Sequence, residues 1–328
     1  MNLKAKEIRQ DSKSGSLQIT VEQYKHEYKN KWDQFIGNSK NGTFLFYRDY
    51  MEYHADRFKD FSLMFFKKDK LVAVMPANID NDVVISHGGL TYGGIVSDEN
   101  MKASLMLEIF EALKEYLKAH GVNKLVYKVI PHIYHSLPAE EDLYALFRYG
   151  AKLVRRDIAS TIFLDEKLDF YKQKRKDIKR CIKSGLEVKR DHDFEGFMAV
   201  KEYDLVKKYG IKPVHSADEI KLLESRFPDN IKLFTVRENG EILAGRIVYE
   251  NKHVVHGQYH SSTDRGKKLK ASSILVDYLI NDYFKEKKYF DLGISTEENG
   301  NYLNEGLIRF KEEFGARGIA YDFYEMDL

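Results

Sequence analysis

Apolar positions along this chain follow two rhythms. Met106, Ile109, Phe110, Leu113 and Leu117 recur at i, i+3, i+4, i+7 and i+11, which is one buried face of a helix. Ahead of them, Phe61–Lys67, Leu71–Ile79 and Val83–Leu90 are short apolar runs rich in β-branched and aromatic residues, which predicts three strands in a meander. The same reasoning predicts a strand at Leu17–Val21 and helices over Tyr24–Ile36 and Tyr47–His54 before the meander. After the Met106 helix it predicts a strand at Leu125–Val129, a helix at Glu140–Tyr149 and a closing strand at Leu153–Leu164. A second pass gives helices at Phe194–Tyr209 and Ala217–Arg226 and strands at Ile231–Arg237, Ile242–Tyr249 and Val254–Ser261. It ends with a helix at Leu269–Phe284, a strand at Tyr289–Ile294, a helix at Tyr302–Phe314 and a strand at Gly318–Tyr324.

The order of elements is thus read twice, and local sequence repeats with it. Gly150-Ala151-Lys152 with Asp157 and Gly315-Ala316-Arg317 with Asp322 lie 165 residues apart (315 − 150 and 322 − 157). Lys102-Ala103-Ser104 and Lys270-Ala271-Ser272 lie 168 apart (270 − 102), a drift expected of loops of unequal length. A period this long is too large for a solenoid unit and implies a duplicated domain. The expected division is residues 1–165 and 166–328.

Composition agrees. In 328 residues, 43% apolar and 13% aromatic, there is material for two cores of ordinary domain size. Basic and acidic residues number 53 and 51, so the net charge of +2 gives no overall field for DNA or a bilayer, and any basic patch is local. The single Cys181 has no partner for an internal disulfide, the polar Met1–Ser16 lacks the apolar core of a signal peptide, and no stretch approaches a membrane span. A cytoplasmic location is expected.

Three antiparallel strands followed by helix, strand, helix and strand resemble the GNAT acyltransferase layout, and two in tandem resemble its FemAB-like branch. Tyr289-Phe290-Asp291-Leu292-Gly293 and Gly306-Leu307-Ile308-Arg309-Phe310-Lys311-Glu312-Glu313-Phe314-Gly315 carry that resemblance most sharply, the second being similar to a G-L-x-x-F-K-x-x-F-G segment of FemAB-like proteins. Ser86-His87-Gly88-Gly89-Leu90-Thr91-Tyr92-Gly93-Gly94 resembles a first-domain segment of envelope-polysaccharide acyltransferases. The fold class implied is α+β: two tandem GNAT-like domains with mixed, mostly antiparallel sheets flanked by helices. The activity implied is acyl transfer to an amine, from acetyl-CoA or another acyl-CoA to an amino sugar or other cell-envelope glycan precursor. Members resembling peptidoglycan-bridge enzymes take their acyl group from aminoacyl-tRNA instead. A binding protein that kept the fold and lost the donor site is a third reading.

In GNAT enzymes the last meander strand splays from the next parallel strand to receive the donor's pantetheine arm, and the helix that follows presents free N–H groups to a pyrophosphate. Here that helix start holds Gly266, Lys267, Lys268 and Ala271, and it departs from the family's Q/R-x-x-G-x-G/A pattern at Thr263 and Lys268. The first copy, Ser97-Asp98-Glu99-Asn100-Met101-Lys102, has no glycine and two acids at this point, so the second half is expected to be catalytic and the first a platform.

On the strand Val254–Ser261, a period of two places His256, Gln258 and His260 on one face, where a side chain would take the proton of an attacking amine; ordinary sheet hydrogen bonding fits the pattern equally. Tyr302, expected at a helix start, is a candidate to protonate the leaving group or a packing residue. Ser295, Thr296 and Glu297 stand at the mouth of a parallel strand, a usual ligand position, and equally suit a helix cap. Asp291 with Lys311, His87 and Tyr92 among four glycines, and His215 are candidate substrate contacts. Lys172–Lys183 holds seven basic residues against Asp177, a solvated face or a surface that steers a nucleotide-sugar, lipid diphosphate or tRNA.

Other chemistries do not fit. Gly293-Ile294-Ser295-Thr296-Glu297 lacks the last glycine of a nucleophile elbow. His132 with His135, and His253 with His256 and His260, lack the cysteines and helical spacing of a zinc site. There is no P-loop or dinucleotide fingerprint.

Overall fold

The computed structural model describes residues 19–328. Leu17 and Gln18 of the first expected strand, and Met1–Ser16, lie outside the described residues. The first half runs β1 (Ile19–Gln23), α1 (Lys29–Gly37), α2 (Arg48–Met51), β2 (Leu63–Lys67), β3 (Lys70–Met75), β4 (Asn78–Asp80), β5 (Val83–Ile85), β6 (Val96–Ser97), α3 (Ala103–Ala119), β7 (Lys124–Lys128), α4 (Glu141–Arg148) and β8 (Lys152–Phe163). The second half runs α5 (Lys172–Lys183), β9 (Val188–Asp191), α6 (Phe194–Tyr209), α7 (Ala217–Arg226), β10 (Ile231–Glu238), β11 (Glu241–Glu250), β12 (Val254–Ser262), α8 (Asp264–Leu269), α9 (Ala271–Tyr278), β13 (Tyr289–Ile294), β14 (Thr296–Glu297), β15 (Tyr302–Leu303), α10 (Glu305–Glu312) and β16 (Arg317–Asp327).

The two halves share the strand order expected of a tandem GNAT fold. β1-β2-β3-β6 form one four-stranded sheet, and β9-β10-β11-β12 form the matching end of a ten-stranded one. Ala73 and Val74 pair with Ser97 and Val96, as Ala244 and Gly245 pair with Ser262 and Ser261. The expected strand Leu71–Ile79 is broken at Pro76, whose nitrogen has no hydrogen to give a ladder, and Val83–Leu90 stops at Ile85. The glycine-rich segment 86–95 is therefore a loop inserted where the second half has the continuous strand β12.

The closing strands are exchanged. β16, at the end of the second half, lies between β7 and β8 of the first, and β8 lies between β16 and β13, so the sheet order is β4-β5-β7-β16-β8-β13-β12-β11-β10-β9. One core packs under α3 around Ile109, Phe110 and Leu113, and another under α9 around Leu275, Phe290 and Phe314. A third is shared by both halves: the ring of Phe44 sits 5.5 Å from that of Phe227 and 5.4 Å from that of Tyr249. Aromatic burial of this kind holds the halves together far more strongly than surface ion pairs would.

Several ends differ from the sequence reading. The Leu269–Phe284 helix is broken at Lys270, which adopts φ 60°, and it closes in a π-helical turn over Leu279–Tyr283. α10 begins at Glu305, capped by the Asn304 side chain, so Tyr302 falls instead on β15, paired with β14. No helix among the described residues is long and apolar enough to cross a membrane.

Candidate active site

β12 and β13 run parallel for only three pairs, Val254–Tyr289, Val255–Phe290 and His256–Asp291, and then part. Two backbone irregularities open them. On β12, Val248 pairs with Gly257 and Ile247 with Tyr259, which leaves Gln258 as an extra, bulged residue. On β13, Gly293 has φ 79°, and pairing with β8 skips from Asp291 to Ile294. Carbonyls released by the splay need other donors, and Lys311 on α10 supplies them: Nζ donates to Gly293 O at 2.7 Å and to Ile294 O at 2.6 Å.

Asp291 anchors the point of divergence and is fully buried. Its Oδ2 accepts from His256 Nδ1 at 2.8 Å, from Tyr321 Oη at 2.7 Å and from Tyr134 Oη at 3.3 Å. Its Oδ1 accepts from the Gly293 N–H at 2.8 Å and from Thr161 Oγ1 at 3.3 Å. Burial by itself would raise this carboxyl, but the charge and hydrogen bond of His256 and the bonds from Tyr321 and Gly293 outweigh it and hold the pKa down at about 2. A fixed carboxylate on Nδ1 orients the imidazole and leaves Nε2 for chemistry.

Beside this dyad the splay opens into a cavity of about 870 Å³ walled by both halves. From the first half come Gly88, Leu90 and Thr91 of the inserted loop, with Lys128, Arg155 and Asp157. The second half gives His256, Gly257, Gln258, His260, Ser261 and Ser262 of β12, Arg246 of β11, Lys201, Asp204 and Lys208 of α6, Lys267, and Phe310 and Lys311 of α10. Burial lowers Lys311 to about 7, against the raising effect of Asp291, and lowers Lys128 to about 7 with help from Arg155. Burial, then Arg246 and Lys201, push His260 well below the usual histidine range, so it stands neutral.

Of the residues expected from sequence, His256, Gln258, His260, Lys267 and Lys311 meet on this wall, with Asp291 directly behind His256. Their common face does not hold. The bulge at Gln258 resets the alternation, so His256 shares a face with its cross-strand partner Tyr249, and His260 shares the opposite face with Arg246. Both still reach the cavity, because it wraps round the freed strand.

Tyr302 and Glu297 are exposed on the β14–β15 hairpin and do not line the cavity, against the expectation of a helix start at Tyr302. Glu297 accepts from Asn304 at 2.7 Å, and Thr296 Oγ1 donates to Asp157 at 2.6 Å. Ser295 is buried. Gly266 is no open approach for a diphosphate: a Cβ there would run into Leu243 O and Ser262 Oγ, and its N–H is capped by Thr263 Oγ1 at 3.1 Å. Lys268 points to solvent and Ala271 packs in the α9 core. Tyr92 is buried on the Tyr134 ring, its hydroxyl donating to Thr43 at 3.2 Å. His87 is buried and stacked on His54, its carbonyl accepting from Lys128, and His215 is tied to Tyr259 at 2.6 Å and Tyr53 at 2.8 Å.

Sequence reasoning passed over Arg246, Lys128, Lys201 and Tyr321. Arg246 had a readable signal: it is a lone charge inside the apolar run Ile242–Tyr249. The other three depend on which strands and helices meet.

Residues 172–311 match the family model for an acetyltransferase (GNAT) domain. The whole fold is similar to the crystal structure of FemX, at 12% identity and TM-score 0.65, over 94% of this chain and 97% of that one. It is similar to L-PGS from Bacillus licheniformis, at 13% identity and TM-score 0.60, over 92% of each chain. A tandem GNAT protein from the clavulanic acid biosynthesis pathway aligns at 10% identity and TM-score 0.50, over 94% of this chain and 98% of that one. No curated protein sequence matches significantly.

Proposed function

From the premise that this chain is an N-acyltransferase with two GNAT-like domains in tandem, we propose that it moves an acyl group to an amine in the cavity between its halves, with the second half catalytic and the first a substrate platform. The observation that carries the reading is the His256–Asp291 dyad, set where β12 and β13 part. The amine attacks the acyl carbonyl, and His256 Nε2 takes the proton that the nitrogen gives up. The carbonyl oxygen, negative in the tetrahedral intermediate, is met by a backbone N–H freed at the Gln258 bulge. The carbonyl then re-forms and expels the donor's thiol or hydroxyl, which recovers a proton from His256. Lys311 keeps the mouth of β13 open through the two carbonyls it binds.

The acceptor proposed is an amino sugar or another precursor of cell-envelope glycan, and the donor is acetyl-CoA or another acyl-CoA. A second donor, aminoacyl-tRNA, is favoured by one observation: Gly266 packs on Leu243 and its amide is capped by Thr263, so the helix start lacks the free glycine amide that a diphosphate would use. The similarity to FemX supports the same reading. Incubating the chain with acetyl-CoA and amino sugars, and in parallel with charged tRNA and a peptidoglycan precursor, tests both. Product from the wild type that forms on the order of a hundredfold more slowly in His256→Ala is expected; no product from either donor would leave a binding protein.

A further inference from the structure

Arg246 is a buried cation that no carboxylate among the described residues contacts directly. It is 2% exposed, and its Nε and Nη1 are shut off from solvent with no hydrogen-bond partner among the described residues. A buried lysine escapes this situation by losing its proton, but a guanidinium stays charged across the working pH range, so the cost of its burial remains unless an anion arrives. The nearby carboxylate, Asp291, is already taken by His256, Tyr321 and the Gly293 amide. The two acids on the cavity wall are also committed: Asp157 to Arg155 at 2.9 Å, and Asp204 to Lys208 at 2.9 Å and Lys267 at 2.6 Å.

Two neighbours line the same wall with further N–H donors. Lys201 Nζ donates to the carbonyl of His260 at 3.1 Å, Lys311 donates to two carbonyls, and neither has a carboxylate partner among the described residues. The backbone makes room for the arrangement: a Cβ on Gly257, next to His256 in the bulge, would run into Arg246 Nη1. Only glycine there lets the guanidinium lie against β12 at the edge of the proposed reaction centre.

We infer that the inner wall around Arg246, flanked by Lys201 and Lys311, is a subsite for an oxyanion, a carboxylate or phosphate borne by the substrate next to its reacting group. The subsite rests on the acyl-transfer reading for its role but not for its existence. It selects a substrate class, since a neutral ligand filling the cavity would leave the guanidinium without a partner.

Calorimetric titration of the full chain with sodium pyrophosphate and, separately, sodium malonate tests this in the wild type, Arg246→Met and Arg246→Lys. The wild type is expected to bind at least one of the two, and Arg246→Met to bind it at least about tenfold more weakly. Binding of pyrophosphate alone assigns the oxyanion to a diphosphate, and binding of malonate alone assigns it to a carboxylate. Arg246→Lys, which keeps the charge but not the planar fork, is expected to fall between, and it carries the comparison should Arg246→Met not fold. A wild type that binds neither probe, or a variant that binds as the wild type does, overturns the subsite. Anion binding that depends on Arg246 in a protein that transfers no acyl group would remove the acyl-transfer reading and leave the subsite standing.

Discussion

The hydroxyl of Tyr321 stands 2.7 Å from Oδ2 of Asp291, the oxygen that also accepts the hydrogen bond of His256 Nδ1. Tyr321 lies on β16, the strand held between β7 and β8 of the other half, so strand exchange places the end of the chain against the dyad. Tyr134 of the first half completes the contact with a 3.1 Å bond to the same hydroxyl. Removing the hydroxyl in Tyr321→Phe costs a hydrogen bond to a buried charge, about 1.5–3 kcal/mol, measurable by urea unfolding. Asp291→Asn should lower turnover by on the order of a hundredfold with donor affinity little changed, because the imidazole loses its fixed orientation. Unchanged turnover in Asp291→Asn would remove the dyad from the mechanism.

His256 and His260 should behave differently. His256 has a carboxylate behind it, whereas His260 lies on the opposite face of β12 with Arg246 and is kept neutral by burial, then by Arg246 and Lys201. His256→Ala should lose turnover by on the order of a hundredfold. His260→Ala should change chiefly the affinity for the anionic probe. Steady-state kinetics of the two variants side by side decides this; equal losses of turnover would mean that both imidazoles serve the proton transfer.

Gly266→Val should destabilise the protein by about 1–3 kcal/mol, since the added atoms meet the backbone of Leu243. A helix start open to a pyrophosphate, as the sequence suggests for Gly266, would instead make the variant lose donor binding and keep its stability. Urea midpoints of wild type and variant separate the two outcomes.

That reversal illustrates where the sequence is readable. The helix face from Met106 to Leu117 and the 165-residue offset report local periodicity and duplication, and both survive into the structure because they are encoded in the residues themselves. Asp291 and Lys311 stand on family-like motifs and His256 on a strand read from alternation, and the three come together. A one-residue bulge at Gln258 leaves no comparable mark, since glutamine is no turn residue, yet it moves His260 to the other face. The role of Gly266 hinges on its contact with Leu243, 23 residues earlier (266 − 243), and that of Tyr321 on an exchange between halves; neither is local. Arg246 was visible as a charge in an apolar strand, but its lack of a partner emerges only from the packing.

The two buried lysines on the cavity wall set a pH dependence of stability whose sign is opposite to that of an ordinary surface lysine. Lys128 and Lys311 are lowered from 10.5 to about 7, so between those values the unfolded chain holds protons that the folded chain has released. Stability therefore rises as pH goes from about 7 towards 10.5, and falls as pH returns through that window, by at most about 1.4 kcal/mol per pH unit for each lysine. Below 7 both states are protonated and this contribution no longer changes. Lys128→Met loses its bonds to the carbonyls of His87 and Leu90 at every pH, which displaces the whole curve, but it should also remove about half of the slope. Urea midpoints at pH 7, 8 and 9 test this: a wild type that is flat or declining across the series, or a Lys128→Met variant as steep as the wild type, would show that Lys128 stays charged in the folded state.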